Sequence, residues 1–156
     1  MHDFNGLTPT CGAGSSAGFA TVVFTASDAC GNEATREATV TVVDMTRPAI
    51  AHPAVDTTVE CNGLGNTGDL QRWLDDNGGA SWRDACGEFT PNEPLLINTI
   101  EGCGLTVEFT YAFTATDACG NSTSTSATYA IMDNIAPTID TPASDDTAEC
   151  DGAGNV

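Results

Sequence analysis

The chain has 156 residues, carries 22 acidic groups against four basic ones and has a formal net charge of −18. All four basic groups are Arg, so nucleic acid and anionic lipid surfaces, which are bound chiefly through Lys and Arg, are excluded as expected partners. Six Phe, two Trp and two Tyr can fill a lean core, and no apolar run is long enough to span a bilayer or to serve as a secretory leader, so neither membrane insertion nor a leader is expected.

The first readable stretch is Phe24 to Ile50, which matches Phe113 to Ile139 at almost half its positions with a constant offset of 89. The register continues through Pro53, Asp56, Thr58, Glu60, Cys61, Gly63, Gly65 and Asn66 onto Pro142, Asp145, Thr147, Glu149, Cys150, Gly152, Gly154 and Asn155. Before Phe24 the offset becomes 92, with Cys11-Gly12 falling on Cys103-Gly104, as a three-residue loop insertion would produce. Repetition at this period predicts tandem units. Residues 1–46 are then the end of one unit, 47–134 a complete unit, and 135–156 the start of the next, a window cut out of phase with its own repeat.

Within the complete unit, the Pro-limited linker Asp44 to Pro48 predicts a stiff junction. Asp56 to Cys61 reads as a short strand. Gly68 to Asn77 is the one helix candidate, with Thr67 as N-cap, Leu70, Trp73 and Leu74 on one face, and Gly78-Gly79 as its stop. Ala80 to Ala85 leads as a strand into an Asp-Ala-Cys-Gly turn at Asp84 to Gly87, and Leu95 to Ile100 is a further strand. Leu105 to Thr116 alternates with period two, placing Val107, Phe109, Tyr111, Phe113 and Ala115 on one face. After the turn Asp117 to Asn121, Thr123 to Met132 alternates again with Ala127, Tyr129 and Ile131, and the pair predicts a long hairpin. The sum is an all-β fold, an immunoglobulin-like β-sandwich repeated in tandem with one short helix per unit.

Catalytic constellations are sparse. His2 lies near the first residue and His52 beside Pro53, so no Ser-His-Asp arrangement is expected, and Asp75-Asp76 and Asp145-Asp146 are adjacent pairs whose side chains diverge. No enzyme activity is expected. Seven Cys without a C-x-x-C pair point to disulfides in an oxidising compartment rather than to zinc.

The Asp-Ala-Cys-Gly-Asn hairpin, the Asp-x-x-x-Pro junction and the Glu-Cys-x-Gly strand end resemble the hyalin-repeat and related immunoglobulin-like tandem modules of large secreted bacterial surface proteins, particularly of the Bacteroidetes type. The resemblance implies an extracellular stalk, adhesin or filament at the cell surface. A carbohydrate- or protein-binding module is the second reading, with Trp82 as its one candidate aromatic platform.

Sandwich geometry sets the disulfide expectation. Cys103 and Cys119 would sit at opposite ends of one strand and cannot meet. Cys61 and Cys103 fall at one pole, Cys86 and Cys119 at the other, so the expected bridges are Cys61 with Cys103 and Cys86 with Cys119, leaving Cys11, Cys30 and Cys150 to partners elsewhere. The same geometry carries Asp84 and Asp117 towards Asp44, and with Asn121 these predict an oxygen-ligand site for Ca²⁺. Asp-Thr-small patterns mark Thr57 and Thr147 as candidate O-glycosylation sites, and Asn121-Ser122-Thr123 fits the N-glycan sequon, so a glycan is a possible adduct. The expected partners are neighbouring copies or repeats of the chain itself, assembled head to tail through Val22 to Val42 and Ala136 to Cys150.

Overall fold

A computed structural model describes residues 6, 8–11, 17–150 and 152. In chain order the strands are β1 (Thr8–Pro9), β2 (Gly18–Ser27), β3 (Glu33–Val42), β4 (Ala49–His52) and β5 (Thr57–Glu60). They are followed by helix α1 (Thr67–Asp75), a 3₁₀ turn (Asn77–Gly79), β6 (Ser81–Arg83), β7 (Phe89–Pro91), β8 (Leu95–Glu101), β9 (Val107–Asp117) and β10 (Ser122–Met132). The fold is mostly β with a single α-helix among the described residues.

The strands form three sheets. β1, β2 and β3 make an antiparallel three-stranded sheet, and β4 pairs with β6. The largest sheet runs β5, β10, β9, with β7 and β8 sharing the far side of β9. Only β5 against β10 is parallel.

The period-two reading of β9 and β10 holds in space. Phe113 and Ala115 from β9 are fully buried, as are Tyr129 and Ile131 from β10, with Ala127 close behind. Trp82 of β6 joins this cluster from the opposite sheet, and α1 closes it through Trp73 and Leu74. Trp73 meets Phe113 edge-on at 5.3 Å and Tyr129 at 5.5 Å between ring centroids. Such aromatic pairs add about 0.5–1.5 kcal/mol each beyond the area they bury.

The helix starts at Thr67, one residue earlier than the sequence predicts. Its N-cap is Asn66 rather than Thr67, held at φ 52°. Asn66 and Asn62 exchange side-chain to backbone hydrogen bonds in both directions, and the Asn66 amide donates to the Glu60 carbonyl, so the left-handed turn is fixed by local polar pairing that hydrophobic periodicity does not register. The helix stops at Asp75, two residues before the predicted Asn77, with Asp76 as its C-cap; Gly78 and Gly79, expected to end it, instead shape the 3₁₀ turn that follows, both at positive φ.

The two long hairpins, β2–β3 and β9–β10, share one register. Phe24 faces Arg36 where Phe113 faces Thr125, and Ser27 faces Glu33 where Thr116 faces Ser122. The threonine pair Thr21 and Thr39 meets through its hydroxyls as Thr110 and Thr128 do. The incoming segments agree as well, because the Thr10 N–H donates to the Ala17 carbonyl as the Gly102 N–H donates to the Thr106 carbonyl. The environments differ, however. Phe24 is 51% exposed where Phe113 is 0%, and Val42 is 41% exposed where Ile131 is 1%. Ala17 and Ala20 are buried at the start of β2, whereas the part of the hairpin around Phe24 is open.

Candidate metal centre

The chain leaves β3 at Val42 and turns at Asp44, whose carboxylate accepts the Thr46 N–H at 2.9 Å. Pro48, fully buried, then pins the linker into the second body of the chain. Here the two hairpins meet. One carboxylate oxygen each from Asp44, Asp84 and Asp117 lie within 4.8 Å of one another.

Each carboxylate is set by its own turn. Asp117 Oδ1 accepts the backbone N–H groups of Cys119 and Asn121 at 2.9 and 2.8 Å, and Asp84 Oδ2 accepts the Cys86 N–H at 2.9 Å. This is the Asx-turn chemistry that makes Asp the residue of choice at such a corner. Asp84 Oδ1, by contrast, is buried with no hydrogen-bond partner. An unpaired buried carboxylate oxygen is unfavourable unless something cationic faces it. The one ion pair among the described residues, Arg72 with Asp69, lies on α1, so no Arg neutralises the cluster.

Desolvation works against the charge on Asp117, but the Asn121 side-chain amide, with the backbone N–H groups of Asn121, Cys119 and Gly120, outweighs it and holds the carboxyl below its ordinary value of 3.8. Asp117 is therefore anionic at neutral pH although only 7% exposed. Cys86 stands beside the cluster. Burial first, then the charges of Asp44 and Asp84 and a hydrogen bond to Asp44, push its thiol up, only partly offset by Thr46. It is a protonated neighbour and not a thiolate ligand.

Of the expected ligand set, the three aspartates are brought together and Asn121 is placed differently. The Asn121 amide nitrogen donates to Asp117 Oδ2 at 2.9 Å and to the Asp44 carbonyl at 3.2 Å. Both neighbours are acceptors, so nitrogen rather than oxygen must face them, and Asn121 orients the site instead of ligating it. The sequon at Asn121 has the same consequence: its amide is already committed between two hairpins. Thr57 is half-buried in the β5–β10 ladder, whereas Thr147 is exposed in the stretch without regular structure after β10. His52 is exposed, and His2 lies outside the described residues.

The disulfide expectation is corrected. Cys119 is bonded to Cys11, with Cα atoms 4.7 Å apart, and so is not available to Cys86. Cys11 precedes β2, so the bond ties the start of the first hairpin to the turn of the second. Cys61 and Cys103 remain thiols. They do share one end of the large sheet, but Cys61 follows β5 and Cys103 follows β8, on opposite edges with β10 and β9 between. Spacing alone does not mark Cys11 for Cys119: the two are 108 residues apart and meet only where the first hairpin docks against the turn of the second.

Trp82 is 7% exposed and packs in the core, so it offers no exposed platform for a sugar. No described helix is long and apolar enough to cross a membrane. No protein-family model matches the chain, and no curated protein matches it.

Proposed function

We propose that this chain is a non-catalytic segment of an extracellular tandem-repeat protein, a cell-surface stalk, adhesin or filament, whose successive immunoglobulin-like units are clamped at their junctions by one disulfide and one divalent cation. The observation that carries this reading is the meeting of Cys11 and Asp44, which flank the first hairpin, with Cys119, Asp84 and Asp117 of the following unit. A bond and a charge cluster at the same hinge suit a protein whose task is to hold neighbours in fixed relation. The shared register of the two hairpins supports the repeat, and the Cys11–Cys119 disulfide supports an oxidising, extracellular setting.

The donor set selects the ion class. Three carboxylates with no thiolate favour a hard cation that accepts oxygen ligands, and Ca²⁺ completes its shell with carbonyls and water. Asp44, Asp84 and Asp117 would hold it. Bound there, it would relieve the like-charge repulsion among them and engage the unpaired Asp84 Oδ1.

Assembly follows from the exposed first hairpin. A concavity of about 590 Å³ lies among Phe24, Thr25, Ala26, Ala34, Thr35 and Arg36, and Phe24 and Ala26 correspond in register to Phe113 and Ala115, which Trp82 of β6 and Trp73 and Leu74 of α1 pack against. The register of residues 136–150 with the β4–β5 stretch makes a second copy the fitting cover, so that copies join head to tail. Sedimentation across a concentration series tests this: mass growing with concentration is the expected result, and a concentration-independent monomer at micromolar levels overturns it.

A further inference from the structure

We infer that the junction disulfide recurs, and that Cys30 of one copy is bonded to Cys103 of the neighbouring copy, so that the array is a covalent ladder. This rests on the repeat reading above but adds a specific bond to it. The observed bond joins a loop cysteine before one hairpin, Cys11, to a turn cysteine inside the next, Cys119. Both halves have a second example in the chain.

Cys103 is the counterpart of Cys11. Ile100 faces Glu108 as Thr8 faces Phe19, Glu101 faces Val107 as Pro9 faces Gly18, and the Gly102 to Thr106 hydrogen bond repeats Thr10 to Ala17. Cys30 is the counterpart of Cys119. Asp28 Oδ1 accepts the N–H groups of Cys30 and Asn32 at 2.9 and 2.8 Å, and the Asn32 amide donates to Asp28 Oδ2, reproducing the Asp117 turn contact for contact. As at Asp117, these bonds hold the Asp28 carboxyl below its ordinary value, the Asn32 side chain contributing most.

The two counterparts are exposed thiols. One presents the donor half and the other the acceptor half of a bond already seen between their equivalents, and the head-to-tail cover proposed for the first hairpin brings them together. The outgoing end of one copy, carrying Cys103 and residues 136–150, would reach the β2–β3 hairpin of the next, as Cys11 and the linker after Asp44 reach β9–β10. Cys61 is the competitor within the same chain; it follows β5 on the opposite edge of the sheet and is not bonded to Cys103.

Closure requires a small-molecule disulfide as oxidant. The Cys30 thiolate attacks the oxidant's S–S bond, forming a mixed disulfide and releasing one reduced thiol. The Cys103 thiolate of the neighbouring copy then attacks the Cys30 sulfur, forming the new S–S bond and releasing the second. Two protein thiols are oxidised as one oxidant disulfide is reduced to two thiols.

The test is to hold the whole chain in a glutathione redox buffer, quench by alkylation and map disulfide-linked peptides without reduction. Covalent oligomers with a Cys30–Cys103 linkage are expected, lost in Cys30→Ser and Cys103→Ser and kept in Cys150→Ser. Linkage of Cys103 to Cys61 within one chain overturns the inference, and so does alkylation of both Cys30 and Cys103, whether or not Cys11–Cys119 has formed. Sedimentation of Cys30→Ser separates the two levels: assembly that persists without the bond leaves the repeat reading standing, while loss of assembly in every variant and the wild type removes that reading itself.

Discussion

Asp117 shapes its own turn and faces a neighbouring hairpin with the same carboxylate, and that double duty gives it a measurable pH signature. A carboxyl held below its ordinary 3.8 in the folded chain contributes stability that is present above that value and is lost as pH falls through the lowered one. In chelator, the melting temperature of Asp117→Asn should lie below wild type near neutral pH, and the gap should close as the pH is brought below 3.8. A gap that persists unchanged in acid would show that the charge on Asp117 is immaterial. Gly78 is a second sensitive residue, with φ 64° and a site where an added Cβ would stand 2.9 Å from Phe113 Cε2 and 3.1 Å from Trp73 Cζ2. Left-handed strain costs about 1–2 kcal/mol and overpacking about 1–3 kcal/mol, so Gly78→Ala should lower unfolding free energy by roughly 2–5 kcal/mol in a denaturant titration. Much of this scale was legible in sequence. The Asp-Ala-Cys-Gly repeats marked Asp84 and Asp117 as equivalent corners, and the Asp-x-x-x-Pro junction marked Asp44. The direction in which the Asn121 amide points was not legible, because it depends on two acceptors that meet only after the hairpins dock.

Among elements, the long hairpin was the easiest to read. Alternation runs along β9 and β10, broken by Ala112 and Ala130, and burial of Tyr129, Ile131, Phe113 and Ala115 follows it, with Ala130 buried as well. β4 and β7 are too short, at 4 and 3 residues, to show any period, and they take their pairing from β6 and β9 instead. Cysteine pairing was legible as to which end of the sheet each residue occupies but not as to which edge, since edge order is a property of the sheet and not of the strand. The contrast between equivalent positions yields a prediction at this scale. Phe113→Ala should cost about 3–5 kcal/mol, as expected for a fully buried aromatic, because its ring is enclosed by Trp73 and Trp82. Phe24→Ala, at the matching but half-exposed site, should cost far less in dilute chain and should instead weaken concentration-dependent assembly. Equal destabilisation of the two variants in dilute solution would mean that the first hairpin already has its cover.

For the whole molecule, a net charge of −18 makes self-repulsion a standing term, and the structure concentrates three of those charges at the one place where two hairpins join. A covalent bond at the same place keeps the repelling groups from separating. A cation is the simplest counterpart to that arrangement, and the claim that one binds there is central to reading the chain as a stiff array. Calorimetric titration of the oxidised chain with Ca²⁺, paired with thermal melts, tests it most directly. The account predicts saturable binding with a raised melting temperature, abolished by Asp84→Asn and by Asp44→Asn and preserved in Asp76→Asn, which caps the end of α1 and is not one of the clustered carboxylates. Heat and melting curves indifferent to Ca²⁺, or a response that survives Asp84→Asn, would contradict it.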